Sequence, residues 1–146
     1  MWEKWIFPFT VETDLNKNQA NLFRNELKSD KGFDWKPWAQ AAGWCAEKNT
    51  NLQEGLQWAD YAISGQYIGE KNFTTLSIKS RLLSMTGKGP EADALMKEAL
   101  SVGSMDEVLG YAGKLMAAKK TNEAADLFRT YYKKYPNQFG TNMGMV

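Results

Sequence analysis

The sequence predicts an all-α fold, a stack of helix hairpins forming a solenoid, with a short N-terminal extended segment. Three observations carry this expectation. One block recurs, as Glu54-Gly55-Leu56-Gln57-Trp58-Ala59, Glu91-Ala92-Asp93-Ala94-Leu95-Met96 and Glu123-Ala124-Ala125-Asp126-Leu127-Phe128. The small residues Gly55, Ala92 and Ala124 are 37 and then 32 residues apart, a period that suits a repeat of two helices. Each block also follows another amphipathic stretch and a short polar turn.

Taken in order, residues 2–12 are rich in aromatic and β-branched types (Trp5, Ile6, Phe7, Phe9, Val11) with Pro8 among them. They predict one edge strand, since proline has no N–H to give to a ladder. No second strand follows to pair with it. The division expected is therefore an extended segment over 1–13, a linker helix and turn over 14–32, three hairpins over 33–136, and the opening of a further repeat over 137–146. Asp14 suits an N-cap, and Leu15 to about Lys28 reads as a helix with Phe23 and Leu27 on one side. Ser29-Asp30-Lys31-Gly32 reads as a turn.

The first hairpin is expected at about 35–48 and 52–64. In its second helix Leu52, Gly55, Leu56, Ala59, Ala62 and Ile63 recur at intervals of three and four, an apolar stripe on one face. Asn51 followed by Glu54 predicts a capping box. The second hairpin is expected at about 73–85 and 90–102, with Gly87-Lys88-Gly89 as the turn and Pro90 at the first helical position. The third is expected at about 105–119 and 122–134. Ser104 and Glu107 predict its cap, and Pro136 its end. Small residues such as Ala39, Ala42, Gly43, Ala46, Ala99 and Ala112 let helix axes approach while large apolar residues fill the gaps.

Composition excludes more than it names. The chain has 146 residues, with 18 basic against 17 acidic side chains and a net charge of +1. That balance gives no global field for nucleic acid or an anionic membrane. No apolar run has the length of a membrane span, and nothing at Met1 resembles a secretion signal, so the chain as given is expected to be soluble, with its compartment unknown. There is no histidine, which removes the commonest general base and metal ligand. Cys45 is the one cysteine, cannot form an internal disulfide, and reads as a small buried thiol.

Other candidate features read as structural. Lys133 and Lys134 lie among Tyr131, Tyr132 and Tyr135, a pattern that suits stacking on single-stranded nucleic acid. Tyrosines packed on a neighbouring helix, with solvated lysines, are the favoured alternative. Gly87-Lys88-Gly89 lacks the glycine and hydroxyl residue of a phosphate loop. Asp93 with Lys97 is a surface pair, and Asp106 with Glu107 belongs at a helix start. Asn72-Phe73-Thr74 matches a glycosylation acceptor. Trp2, Trp5, Trp35, Trp38, Trp44 and Trp58 all fall in the first 58 residues. They predict packing, with an interface or ligand face as the second reading.

The hairpin blocks resemble the tetratricopeptide repeat, through Ala124, Phe128 and Pro136 in the third unit and Ala92, Met96 and Ala99 in the second. Tyr131 departs from the resemblance at a normally small position, and the first unit is degenerate. In arrays of that kind the first helix of each pair lines a concave surface. The resemblance therefore places Gln40, Trp44, Glu47, Ser77, Arg81, Met85, Leu109, Gly113 and Met116 on a partner-binding face.

A second resemblance spans most of the chain. Trp2-Glu3-Lys4, Pro8-Phe9, Ala41-Ala42, Leu52 to Ala59, Asn72-Phe73, Lys79, Tyr135-Pro136 and Asn142-Met143-Gly144 resemble the family called domain of unknown function 2911. That resemblance implies a β-rich domain before this region, export to the bacterial envelope or periplasm, and no established activity. It would make 2–12 the last strand of a preceding domain.

The function expected is a non-catalytic helical-repeat module that binds a protein or peptide. No cofactor, metal, nucleic acid or membrane insertion is expected. The alternative is a structural appendage that stabilises or dimerises a larger β-domain envelope protein, through a homodimer built on the 2–12 strand or on the apolar residues Phe139, Met143, Met145 and Val146. A third reading places envelope chemistry in a domain outside this region.

Overall fold

The computed structural model describes residues 15–134. Among them are seven α-helices and one 3-10 helix: α1 (Leu15–Leu27), the 3-10 helix (Asp30–Phe33), α2 (Trp35–Lys48), α3 (Leu52–Ser64), α4 (Phe73–Met85), α5 (Gly89–Val102), α6 (Met105–Ala117) and α7 (Thr121–Lys134). No strand occurs among the described residues. The expected extended segment, the Asp14 cap, the stop at Pro136 and the opening of a further repeat lie outside them. The helices begin and end within two residues of the expected bounds. The chain divides into two compact units, one up to Ala99 and one from Leu100, so the boundary falls near the end of α5.

In the first unit α2 and α3 form an antiparallel hairpin, and α4 packs on both of them. Gly55 allows the close approach. A Cβ there would lie 2.8 Å from Cys45 Cβ and 3.3 Å from Leu82 Cδ2. Trp58 and Ala59 of α3, Ala42, Cys45 and Ala46 of α2, and Leu82 of α4 share one buried cluster. Phe23 of α1 joins it, with its ring 5.5 Å from Trp44 and 6.2 Å from Trp58. The tilted and edge-on geometry of these pairs is the arrangement aromatic quadrupoles favour. Ser80 is buried, and its hydroxyl donates to Ala92 O at 2.7 Å, linking α4 to α5. Ala92 itself is 3% exposed.

Turn chemistry differs between hairpins. Thr86 ends α4, and Gly87 takes a φ of +83°. Lys88 N donates to Leu83 O at 2.9 Å and Gly87 N to Ser84 O at 3.3 Å, the paired bonds of a Schellman end. The end of α6 repeats this device with Lys119 in the glycine position, at φ +62°. Its bonds are Lys120 N to Leu115 O and Lys119 N to Met116 O.

Two local expectations are corrected. Asn51 does not cap α3 with its side chain, because its backbone is left-handed at φ 48°, ψ 41°, and Glu54 pairs elsewhere, as described below. The 29–32 turn is a 3-10 helix instead. Gly32 N donates to Ser29 O at 2.9 Å, and the chain folds back so tightly that a Cβ on Gly32 would sit 2.0 Å from Leu27 O.

In the second unit α6 and α7 pack as a hairpin. Val108, Ala112 and Leu115 make the buried stripe of α6. The cap expected at Ser104 is present. Glu107 N donates to Ser104 Oγ at 3.3 Å and Ser104 N to Glu107 Oε2 at 2.9 Å. Tyr131 is buried because its ring packs inside and its hydroxyl donates to Gly103 O at 2.9 Å and is 3.3 Å from Leu100 O. Tyr131 thus anchors α7 to the turn before α6.

Candidate partner-binding face

Each unit carries its own part of the expected face. In the first, the outward sides of α2 and α4 lie next to one another. A Cβ on Gly43 would be in ordinary contact with Ile78 Cδ1, at 3.6 Å. Beside this contact Gln40 and Glu47 are exposed on α2, and Arg81 is exposed on α4. Ser77 is half-buried, its hydroxyl donating to Thr74 O at 3.0 Å. These residues share the side of their helices that the core leaves uncovered, as the four-residue spacing of Ser77 and Arg81 requires.

Trp44 and Met85 are less available. Both are half-buried and pack against the core, Trp44 by way of Phe23. Trp44 thus belongs partly to the contact with α1. In the second unit Gly113 and Met116 are exposed on α6 and Leu109 is half-buried. Open space lies in front of Gly113, where a Cβ would meet nothing within 4 Å.

The electrostatics of the first unit centre on a residue pair that the sequence did not single out. Arg24 of α1 grips Glu54 of α3 with two bonds, Nε to Oε1 and Nη2 to Oε2, each 2.6 Å. The carboxylate fits the guanidinium fork, and this pairing raises the Arg24 pKa further above its ordinary value. Below it, burial pushes the Cys45 thiol up to about 11, and the Glu54 charge adds to the shift. Cys45 is fully buried, so it has neither the access nor the thiolate character of a nucleophile. Lys79 of α4 pairs with Asp60 of α3 at 2.5 Å, and Lys71 pairs with Glu98 of α5. Asp93 and Lys97 remain exposed on α5.

Other sequence candidates resolve into structural roles. The Asn72 side chain accepts from Thr75 N at 3.0 Å and Thr75 Oγ1 accepts from Asn72 N at 3.1 Å, which caps α4. Its amide also donates to Glu70 Oε1. A glycan at Asn72 would attach to Nδ2, the atom that donates to Glu70, and leave the capping Oδ1 in place. Tyr131 is buried and hydrogen-bonded, so it is not offered to a base for stacking, whereas Tyr132 is exposed. Trp38 donates from Nε1 to Gly32 O at 3.0 Å and stacks on Tyr61 with centroids 4.8 Å apart. Trp38, Trp44 and Trp58 therefore serve packing, while Trp2 and Trp5 lie outside the described residues.

The sequence reading also passed over the loop after α3. Tyr67 is 96% exposed at a φ of +64°, rare for an aromatic residue. Gly65 N donates to Tyr61 O, Ile68 N to Gly65 O and Glu70 N to Ala62 O, which holds the loop against the end of α3. Gly65 and Gly69, four residues apart, were the signal that a tight turn stands here.

Among the described residues no group of three metal-binding side chains occurs, and no helix is long and apolar enough to cross a membrane. No protein family, characterised protein or solved structure matches the chain at a significant level.

Proposed function

We propose that this chain is a non-catalytic helical-repeat module of tetratricopeptide-like design that binds an extended peptide or protein segment. The observation that carries this reading is the placement of α4 across both helices of the α2–α3 hairpin. Stacking of that kind puts the first helices of successive hairpins side by side and generates a repeated outward face. Gln40, Glu47 and Arg81 project from that face without a core role, a mixed polar surface suited to backbone and side-chain groups of a peptide. Absence of histidine and burial of Cys45 support the non-catalytic part.

Peptides selected from a random display library against the full chain provide the test. Arg81→Glu and Gln40→Ala are expected to weaken the selected peptides about tenfold each, roughly 1.4 kcal/mol. Asp93→Ala, on the exposed side of α5, serves as the control and should leave affinity unchanged. Selected peptides that ignore both face variants, or a selection that recovers no binder, would remove the reading.

A dimerising appendage of a larger envelope protein, the setting implied by the resemblance to the domain of unknown function 2911 family, rests on the sequence features of 2–12 and 137–146. Light scattering of the full chain separates it from the first reading. A monomer at high micromolar concentration excludes the dimer.

A further inference from the structure

We draw no further inference here: the strongest candidate, the aromatic surface patch where exposed Tyr61 stacks on Trp38 beside the 3-10 helix that carries exposed Phe33, carries nothing because it is an unpartnered apolar face and nothing in the structure shows what covers it.

Discussion

At Gly55 a single methyl group decides how closely α2 and α3 pack. The nearest obstacle is Cys45 Cβ at 2.8 Å, which is held by a helix backbone and cannot swing aside. Gly55→Ala is therefore expected to destabilise the chain by about 1–3 kcal/mol, measured by urea denaturation. An unchanged midpoint would contradict the packing described for this hairpin. Ala92→Trp tests the equivalent small position of the second block and is expected to lower the thermal midpoint sharply, since Ala92 is buried and its carbonyl receives the Ser80 hydroxyl. Cys45 supplies a pH signature. Burial raises its thiol from an ordinary value of 9.0 to about 11. The folded state thus holds the proton more tightly, which contributes stability below pH 9 that is lost as pH rises through about 11. Comparing wild type with Cys45→Ala between pH 8 and 11 isolates this contribution, because the other alkaline titrations are common to both. The variant is expected to lose less stability over that window than the wild type does.

At the scale of elements, local chemistry made some helix ends legible and not others, since the Asn72–Thr75 box is as local as any and the sequence offered Asn72 only as a glycosylation acceptor. The Ser104–Glu107 box formed as expected because its two partners stand three residues apart on the chain. The Asn51–Glu54 box has the same spacing and did not form. Glu54 has a better partner in Arg24, which lies 30 residues away in sequence. A charged fork with two bonds outweighs one backbone cap, and no local pattern reveals it. Arg24→Met is expected to cost about 1 kcal/mol and to loosen α1 selectively. Amide exchange would show this as faster exchange in α1 with α6 and α7 unaffected. Equal acceleration in all helices would mean that the pair does not fasten α1 locally. The end of α6 allows a gain rather than a loss. Lys119 holds the left-handed turn position that Gly87 fills after α4. Lys119→Gly removes that steric cost but adds freedom to the unfolded chain, and about 0.5 kcal/mol of stabilisation is expected from the difference by urea denaturation.

For the whole molecule, helical periodicity together with the small residues Gly55, Ala92 and Ala124 was enough to place every described α-helix, though not the 3-10 helix. Apolar spacing is a repeated, redundant signal, so loss of one position does not erase it. The proposed binding face is different. Gln40, Glu47 and Arg81 are polar residues on solvated surfaces, where water satisfies them whether or not a partner exists, and Ser77 is satisfied by Thr74 O. Their positions came from the repeat resemblance, and the placement of Trp44 against Phe23 shows where that mapping meets the packing of this particular chain. We propose that the outward sides of α2 and α4 act together as one surface for a peptide. Amide chemical-shift mapping of the full, isotope-labelled chain, titrated with a display-selected peptide, tests this most directly. Saturable shifts are expected to gather at Gln40, Glu47, Ser77 and Arg81, on two helices that are separate in sequence. Shifts confined to one helix, or gathered away from α2 and α4, would contradict it.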